Sequence, residues 1–176
     1  MPKLTIQTIP APSLREVAEA VAAVDKHVAA FMEELAETMY RGNGIGLAAN
    51  QVGSLSRVIA IDASQERNGK NALLMANPEI VWSEPEEIFV YNEGCLSLPG
   101  HYADVKRPKR IRMNYIDQHG KKKELEAEDL LSQCIQHEID HLNGVLFIDH
   151  ISRLKRNIIL RKIEKERKEE EEGHIL

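Results

Sequence analysis

Gln136-His137-Glu138-Ile139-Asp140-His141 is the stretch on which the reading of this 176-residue chain turns. It lies within residues 128–143, whose pattern predicts a helix, with Gly144 at the left-handed stop position. Two histidines four apart on a helix stand about 40° apart in projection and about one turn apart along the axis. Both imidazoles can therefore reach a single metal ion. Glu138 follows the first histidine directly, which sets its carboxylate beside such an ion without ligating it, where it could take a proton from water. The plain alternative is a pair of exposed histidines flanking a solvated acid.

The third ligand decides the class of site. One zinc-protease pattern adds a histidine six residues after the second; His141-Leu142-Asn143-Gly144 follows it as far as the glycine, but Phe147 occupies the required position. Another recruits a glutamate some twenty residues downstream, and Glu164 lies at that distance within a basic run. The remaining candidate is Cys95, in Glu93-Gly94-Cys95-Leu96-Ser97-Leu98-Pro99, where glycine and proline suggest a loop at a strand end. Two histidines and one thiolate would leave a fourth tetrahedral position for water, as a catalytic site requires. Cys134 raises the alternative of a closed, structural Cys2His2 zinc module. Against it, Cys134 and His141 are separated by about 10.5 Å of helix rise. Cys134 is better read as pocket wall or core.

The rest of the chain frames that helix. Residues 4–9 alternate briefly before Pro10 and Pro12, and Leu14, Val17, Ala18 and Val21 then recur at helical spacing. Asp25 is placed to cap a further helix with Val28, Phe31, Met32, Leu35 and Met39 on one stripe, ended by Gly42, Gly44 and Gly46. Strands are predicted at 57–63, 73–76, 87–91 and 110–117, with a turn at Asp117-Gln118-His119-Gly120 into a strand at 123–127. Ile151, Leu154 and Ile158 mark a final amphipathic helix. Helices and strands are segregated and do not alternate, which predicts an α+β fold.

Composition excludes several classes. With 43% apolar and 29% charged residues and a net charge of −5, the chain has the balance of an ordinary globular protein and not of a disordered one. No window approaches the run of about 18 apolar residues needed to span a membrane. Met1-Pro2-Lys3-Leu4-Thr5 shows no apolar export signal, and two cysteines are too few for a disulfide scaffold, so a reducing cytoplasm is expected. One catalytic domain over residues 1–152 is expected, with 153–176 forming a basic helix and acidic tail of the same domain.

Gly44-Ile45-Gly46-Leu47-Ala48-Ala49-Asn50-Gln51 looks at first like a dinucleotide fingerprint, but it follows a helix where that motif must follow a strand. Its small residues instead let another backbone approach, and an extended peptide could pair with Ile45 and Gly46. Gln51 would then offer an amide donor of the kind that stabilises an oxyanion. A glycine turn with a surface glutamine is the simpler reading of these residues taken alone.

Taken together, Gly44–Gln51, Glu93-Gly94-Cys95-Leu96-Ser97 and His137-Glu138-Ile139-Asp140-His141 resemble the three motifs of peptide deformylase, in that family's order, and the likeness runs over nearly the whole chain. The resemblance implies a metal-dependent hydrolase that removes the formyl group from the N-terminal formyl-methionine of newly made polypeptides and releases formate. It implies antiparallel sheets packed around a central helix carrying the two histidines. By the same match Cys95, His137 and His141 are the metal ligands, Glu138 the general acid/base, and Gln51 with the backbone N–H of Leu96 the oxyanion donors. Ile45, Gly46 and Gly94 would contact the peptide backbone, and Ile45, Tyr91, Leu130 and Cys134 would line the methionine pocket. Family members favour ferrous iron, and many work with zinc, nickel or cobalt. Two departures stand out: Gln133 falls where some relatives have an aliphatic residue, and Tyr102 where some have an arginine.

Arg153, Lys155, Arg156, Arg161, Lys162, Lys165, Arg167 and Lys168 decorate the last helix, followed by four glutamates at 169–172. This is either a solvated face or, as the resemblance suggests, a means of attraction to ribosomal RNA. No DNA or membrane partner is expected. His27, His101, His119, His150 and His174 have no partner at ligand spacing and read as ordinary side chains.

Overall fold

Helix α1 (Lys26–Arg41) starts where Asp25 can cap it: the Asp25 carboxylate accepts from the backbone N–H groups of His27 and Val28, each at 2.9 Å. The computed structural model describes residues 4–174, so the first three residues of the leader reading and the last two of the tail lie outside the described residues. Met32, Leu35 and Met39 of α1 are fully buried, as the stripe predicts.

They pack against one face of a five-stranded antiparallel sheet. In spatial order it comprises β1 (Gly46–Ala48), β2 (Val58–Ile61), β3 (Leu73–Ser83), β6 (Arg110–Ile116) and β7 (Lys122–Glu128). Val58 and Ala60 of β2 face α1, while Ile59 and Ile61 face the opposite core. A strand covered on both faces has no polar positions to spare, which is why β2 reads as an unbroken apolar run. The other two strands, β4 (Ile88–Cys95) and β5 (Leu98–Pro108), form a separate antiparallel hairpin.

Helix α2 (Asp129–Leu142) lies between the large sheet and this hairpin. Ten of its 14 residues are buried, so it has no solvent face in the usual sense. Gly144 ends it with φ 72°, and a Cβ there would stand 2.6 Å from the carbonyl oxygen of Arg15. Only glycine tolerates both conditions. The architecture is α+β with a buried central helix, as expected.

Several local expectations fail for identifiable reasons. Residues 14–21 form no helix beyond a single 3-10 turn (Pro12–Arg15). Their backbone groups are taken by other elements: Ala18 N–H donates to Leu142 O, Glu19 N–H to Leu55 O, and Val21 N–H to the side chain of Asn77. Strand β3 runs seven residues past its predicted end, because Pro78 sits in a bulge where Asn77 has φ 48° and the pairing with β6 shifts register. Strand β5 was hidden by Pro99, Gly100 and Pro108, and β1 is too short to show a period.

Helix α3 (Arg153–Gly173) forms, with Ser152 as its cap, but on a different stripe. Leu154 and Ile158 are 72% and 44% exposed, whereas Ile159 is buried, with Leu160 and Ile163 half-buried beside it, in a core shared with Leu14, Leu98, Val105, Leu146, Phe147 and Ile148. Two i,i+4 apolar rows lie side by side on this helix, and spacing alone does not select between them.

Candidate active site

Helix α2 is the scaffold. It carries His137 and His141 on one face, and the tight turn from β4 into β5 brings Cys95 to meet them. One ligand atom from each of Cys95, His137 and His141 lies within 4.8 Å of the others. Cys95 Sγ is 3.3 Å from His141 Nε2. One thiol and two imidazoles are a borderline-soft donor set suited to a late divalent ion. Three protein ligands leave room for a fourth, so the group fits a single catalytic metal.

The two histidines are held differently. Glu93 Oε2 accepts from His137 Nδ1 at 2.8 Å, which turns Nε2 toward the cluster. Glu93 is itself buried and gripped by Arg107, whose Nε and Nη2 donate at 2.6 and 3.1 Å, and by the side-chain amide of Gln133. Burial pushes the Glu93 carboxyl up, but the hydrogen bonds from His137 and Arg107 outweigh it and hold the group at about 2. Arg107 Nη1 continues the chain to Asp140 at 2.7 Å, and Asp140 also meets His150 Nε2 at 2.7 Å. By contrast, Nδ1 of His141 is buried without a hydrogen-bond partner among the described residues.

Glu138 is 3% exposed, and burial pushes its carboxyl up to about 7. One of its oxygens, Oε2, has no hydrogen-bond partner among the described residues. The other faces Gly46, where a Cβ would collide with it and stand 2.9 Å from Cys134 Sγ. A carboxyl poised near neutrality beside the cluster can both accept and donate a proton.

Gln51 closes the site from the glycine-rich side. Its carbonyl oxygen accepts from Ala48 N–H at 2.9 Å, which directs Nε2 to Ser97 Oγ at 3.1 Å and Cys95 Sγ at 3.4 Å. A cavity of about 380 Å³ opens in front. All six residues expected to touch substrate line it: Ile45, Gly46, Tyr91, Gly94, Leu130 and Cys134. Gln51, Leu96, Cys95, His137 and Glu138 line it too, whereas His141 lies deeper. Gly94 is needed because the ring of Tyr102 covers it, with Cδ1 2.6 Å from where a Cβ would stand.

Both rival ligands fall away. The Glu164 side chain is 59% exposed on α3 and pairs with Lys168 at 3.1 Å. Cys134 Sγ turns to the carbonyl of Ile45 at 3.5 Å, and burial pushes its thiol well up. Among the remaining histidines, His101 ties β5 to α3 through Glu166 at 3.0 Å, a structural contact.

Sequence reasoning missed the supporting residues. Glu93 sits in the Cys95 motif, and a histidine ligand calls for such an anchor, so a signal existed. Arg107 is one of four cations in the run 106–110, and nothing but the hairpin register singles it out.

A shell of antiparallel strands around an H-E-x-x-H helix, met by one thiol from a strand turn, defines a class of mononuclear metal hydrolases. Comparison with known proteins narrows the class. The model of the polypeptide deformylase family matches residues 3–157. A peptide deformylase of Bartonella tribocorum is 50% identical over 171 residues, covering 96% of each chain. The crystal structure of a peptide deformylase from Legionella pneumophila superposes with TM-score 0.86 at 38% identity, covering 94% of this chain and 96% of that one. One from Ehrlichia chaffeensis in complex with actinonin gives 0.87 at 36%, covering 94% and 98%. The chain belongs to the polypeptide deformylase family: it is an enzyme, a metal-dependent hydrolase that removes the N-formyl group from nascent polypeptides.

Proposed function

We propose that Cys95, His137 and His141 hold one divalent cation and that Glu138 moves the proton in the deformylation this chain performs. The observation that carries the assignment is the convergence of the three ligand atoms beside a buried carboxylate with an unpartnered oxygen. When bound, the cation would supply Lewis-acid chemistry, lowering the pKa of a water from about 15.7 toward neutrality. Glu138 accepts the proton of the attacking water and delivers it to the departing amine. Gln51 Nε2 and the Leu96 N–H donate to the oxygen on which charge develops. Gly46 at the start of β1 and Ile45 just before it pair with the substrate backbone, Gly94 meets it from the other side, and Tyr91, Leu130 and Cys134 complete the side-chain pocket. A formyl carbon bears only hydrogen, so a cramped site admits it and turns away bulkier acyl groups.

The resemblance favours Fe2+ as the native ion, with Zn2+, Ni2+ or Co2+ as substitutes. The substrate is formyl-methionyl nascent chain, met in the cytoplasm, and no helix of the described residues is long and apolar enough to cross a membrane. Residues 153–176 belong to the same folding unit as 1–152, a reading supported by buried Ile159 and the His101–Glu166 contact. A ribosome contact through α3 would have to rest on its other cations, since Lys165, Arg167 and Lys168 already pair with glutamates of the same helix. Salt-dependent ribosome co-sedimentation, repeated with Lys155→Glu and Lys162→Glu, tests it; identical binding of the variant removes the contact.

The deciding experiment for the site is an anaerobic iron preparation offered formyl-Met and acetyl-Met peptides. Formate from the first, no acetate from the second, and loss of bound metal in Cys95→Ala are expected. Metal retained by Cys95→Ala would refute the ligand set.

A further inference from the structure

The turn from α1 into β1 leads directly to Ile45 and Gly46, and its own polar groups are provided for unevenly. Its N–H groups fold back onto the end of the helix: Gly42 N–H donates to Thr38 O at 3.1 Å, and Asn43 N–H to Tyr40 O and Gly44 N–H to Met39 O at 3.0 Å each. The carbonyls of Asn43 and Gly44 have to find donors elsewhere. One side chain serves both. Arg67 Nη1 donates to Asn43 O at 3.5 Å, and Nη2 donates to Gly44 O. No other donor among the described residues meets either oxygen. Asn43 and Gly44 line the cavity together with Ile45 and Gly46; Arg67 is not in its wall.

Arg67 is itself held in place. It lies in the connection between β2 and β3, and its backbone is left-handed, with φ 41°. A residue with a Cβ keeps that conformation only where its surroundings fix it. Here Arg67 N–H donates to Ser64 Oγ at 3.4 Å, and Ser64 N–H donates to Asp62 Oδ1 at 2.9 Å. Tyr40 of α1 donates its O–H to Asp62 Oδ2 at 2.6 Å, and Asp62 N–H donates to Ile45 O at 2.9 Å. The segment after β2 thus takes up three successive carbonyls, 43 to 45, just ahead of β1.

A backbone segment that receives a peptide by strand pairing has to be extended before the peptide arrives. If it is so for only a fraction of the time, apparent affinity falls by that fraction. A guanidinium fork across two neighbouring carbonyls makes charge-assisted hydrogen bonds that fix such a segment. Resting on the deformylase reading above, we propose that Arg67 is a positioning residue for substrate: by spanning the carbonyls of Asn43 and Gly44 it holds Ile45 and Gly46 ready for the backbone of the formyl peptide. The pairing is the same before and during reaction, so its loss belongs in KM and not in kcat.

The test compares the native metal-loaded enzyme with Arg67→Asn, which suits a left-handed backbone but lacks the guanidinium, and with Arg67→Lys, which keeps one compact cation. The readouts are steady-state kinetics on a formyl-Met tripeptide, calorimetric binding of its deformylated product, metal content and the urea midpoint. In Arg67→Asn, KM should rise about tenfold and product affinity fall by a similar factor, with kcat within about twofold of the parent. Metal content and urea midpoint should match the parent, and Arg67→Lys should recover part of the lost affinity. Unchanged KM and product affinity in Arg67→Asn overturn the inference and leave the deformylase reading intact. So does a fall in kcat that follows metal loss, or an Arg67→Lys variant no better than Arg67→Asn. An Arg67→Asn chain without a cooperative urea transition also overturns it, because the guanidinium would then hold the fold and not the turn. No formate from the native enzyme overturns the deformylase reading and this inference with it.

Discussion

Helices α2 and α3 are both mostly polar in sequence and handle their polar side chains in opposite ways. On α3 the charged groups stay in water and, apart from Glu166 with His101 of β5, pair along their own helix: Lys165 with Glu169, Arg167 with Glu171, Lys168 with Glu164. On α2 they are buried and pair with other elements. Ser132 and Gln136 donate to the carbonyl of Pro108, Gln133 and His137 to Glu93, and Asp140 accepts from Arg107. Burying polar groups is costly unless each is satisfied. On α2 the exceptions are Oε1 of Gln133, Oε2 of Glu138 and Nδ1 of His141, and all three sit on residues at or beside the proposed metal centre. The difference teaches where to look: on a helix sunk in the core, the unpaired polar atoms mark the working surface.

The comparison breaks most visibly at Glu138. Glu138→Gln keeps size and burial but removes the proton carrier, so deformylation should fall by about 10²- to 10⁴-fold. Metal content and thermal midpoint should stay near those of the parent. Steady-state kinetics with elemental analysis checks this, and an activity loss matched by metal loss would move Glu138 into the ligand set. Arg107→Met comes next. It strands two carboxylates, Glu93 and Asp140, that the guanidinium now neutralises, and removal of one member of a buried charge network costs about 3–5 kcal/mol. Urea titration should show the midpoint falling with little change in slope. Glu93→Gln in the same background should recover part of the loss, because it removes one stranded charge.

How much of this was legible from residues alone depended on whether the signal was local. The α2 helix was, because the H-E-x-x-H pair and Gly144 are all within a few residues. Cys95 was reachable by elimination and by its glycine and proline neighbours, and Asp25 announced α1. The Glu93–Arg107–Asp140 chain was not, since it joins β4, β5 and α2 through a hairpin register that no short window contains. The irregular path of residues 14–21 was hidden for the same reason: its apolar spacing is helical, but its N–H groups are spent on Leu142, Leu55 and Asn77, far along the chain. Pro78 concealed the second half of β3 by looking like a stop when it is a bulge.

Within α3 the contrast between buried and solvated positions can be sharpened on a single helix. Ile159→Ala removes a side chain 9% exposed in the core it shares with Leu14, Leu98 and Phe147 and should cost about 2 kcal/mol, at the low end for such truncations because only one face of the helix is packed. Leu154→Ser, five residues earlier and 72% exposed, should stay within about 0.5 kcal/mol of the parent. Equal losses at the two positions would mean that α3 docks on the row it presents to solvent here.

The smallest expected effect is the most diagnostic of the comparison itself. Arg167 Nη1 meets Glu171 at 2.6 Å, as short as the Arg107–Glu93 contact, yet its partners are 44% and 63% exposed. Distance therefore says nothing about the difference between the two pairs; solvent does. In water the Coulomb gain is screened and the side chains lose rotamer freedom to hold the geometry, so an i,i+4 pair of this kind contributes about 0.3–0.5 kcal/mol. Arg167→Ala should move the urea midpoint barely above error, and that small shift should vanish in about 1 M salt. Arg107→Met should keep nearly all of its effect in the same salt, because the Debye atmosphere does not reach a guanidinium that is 4% exposed.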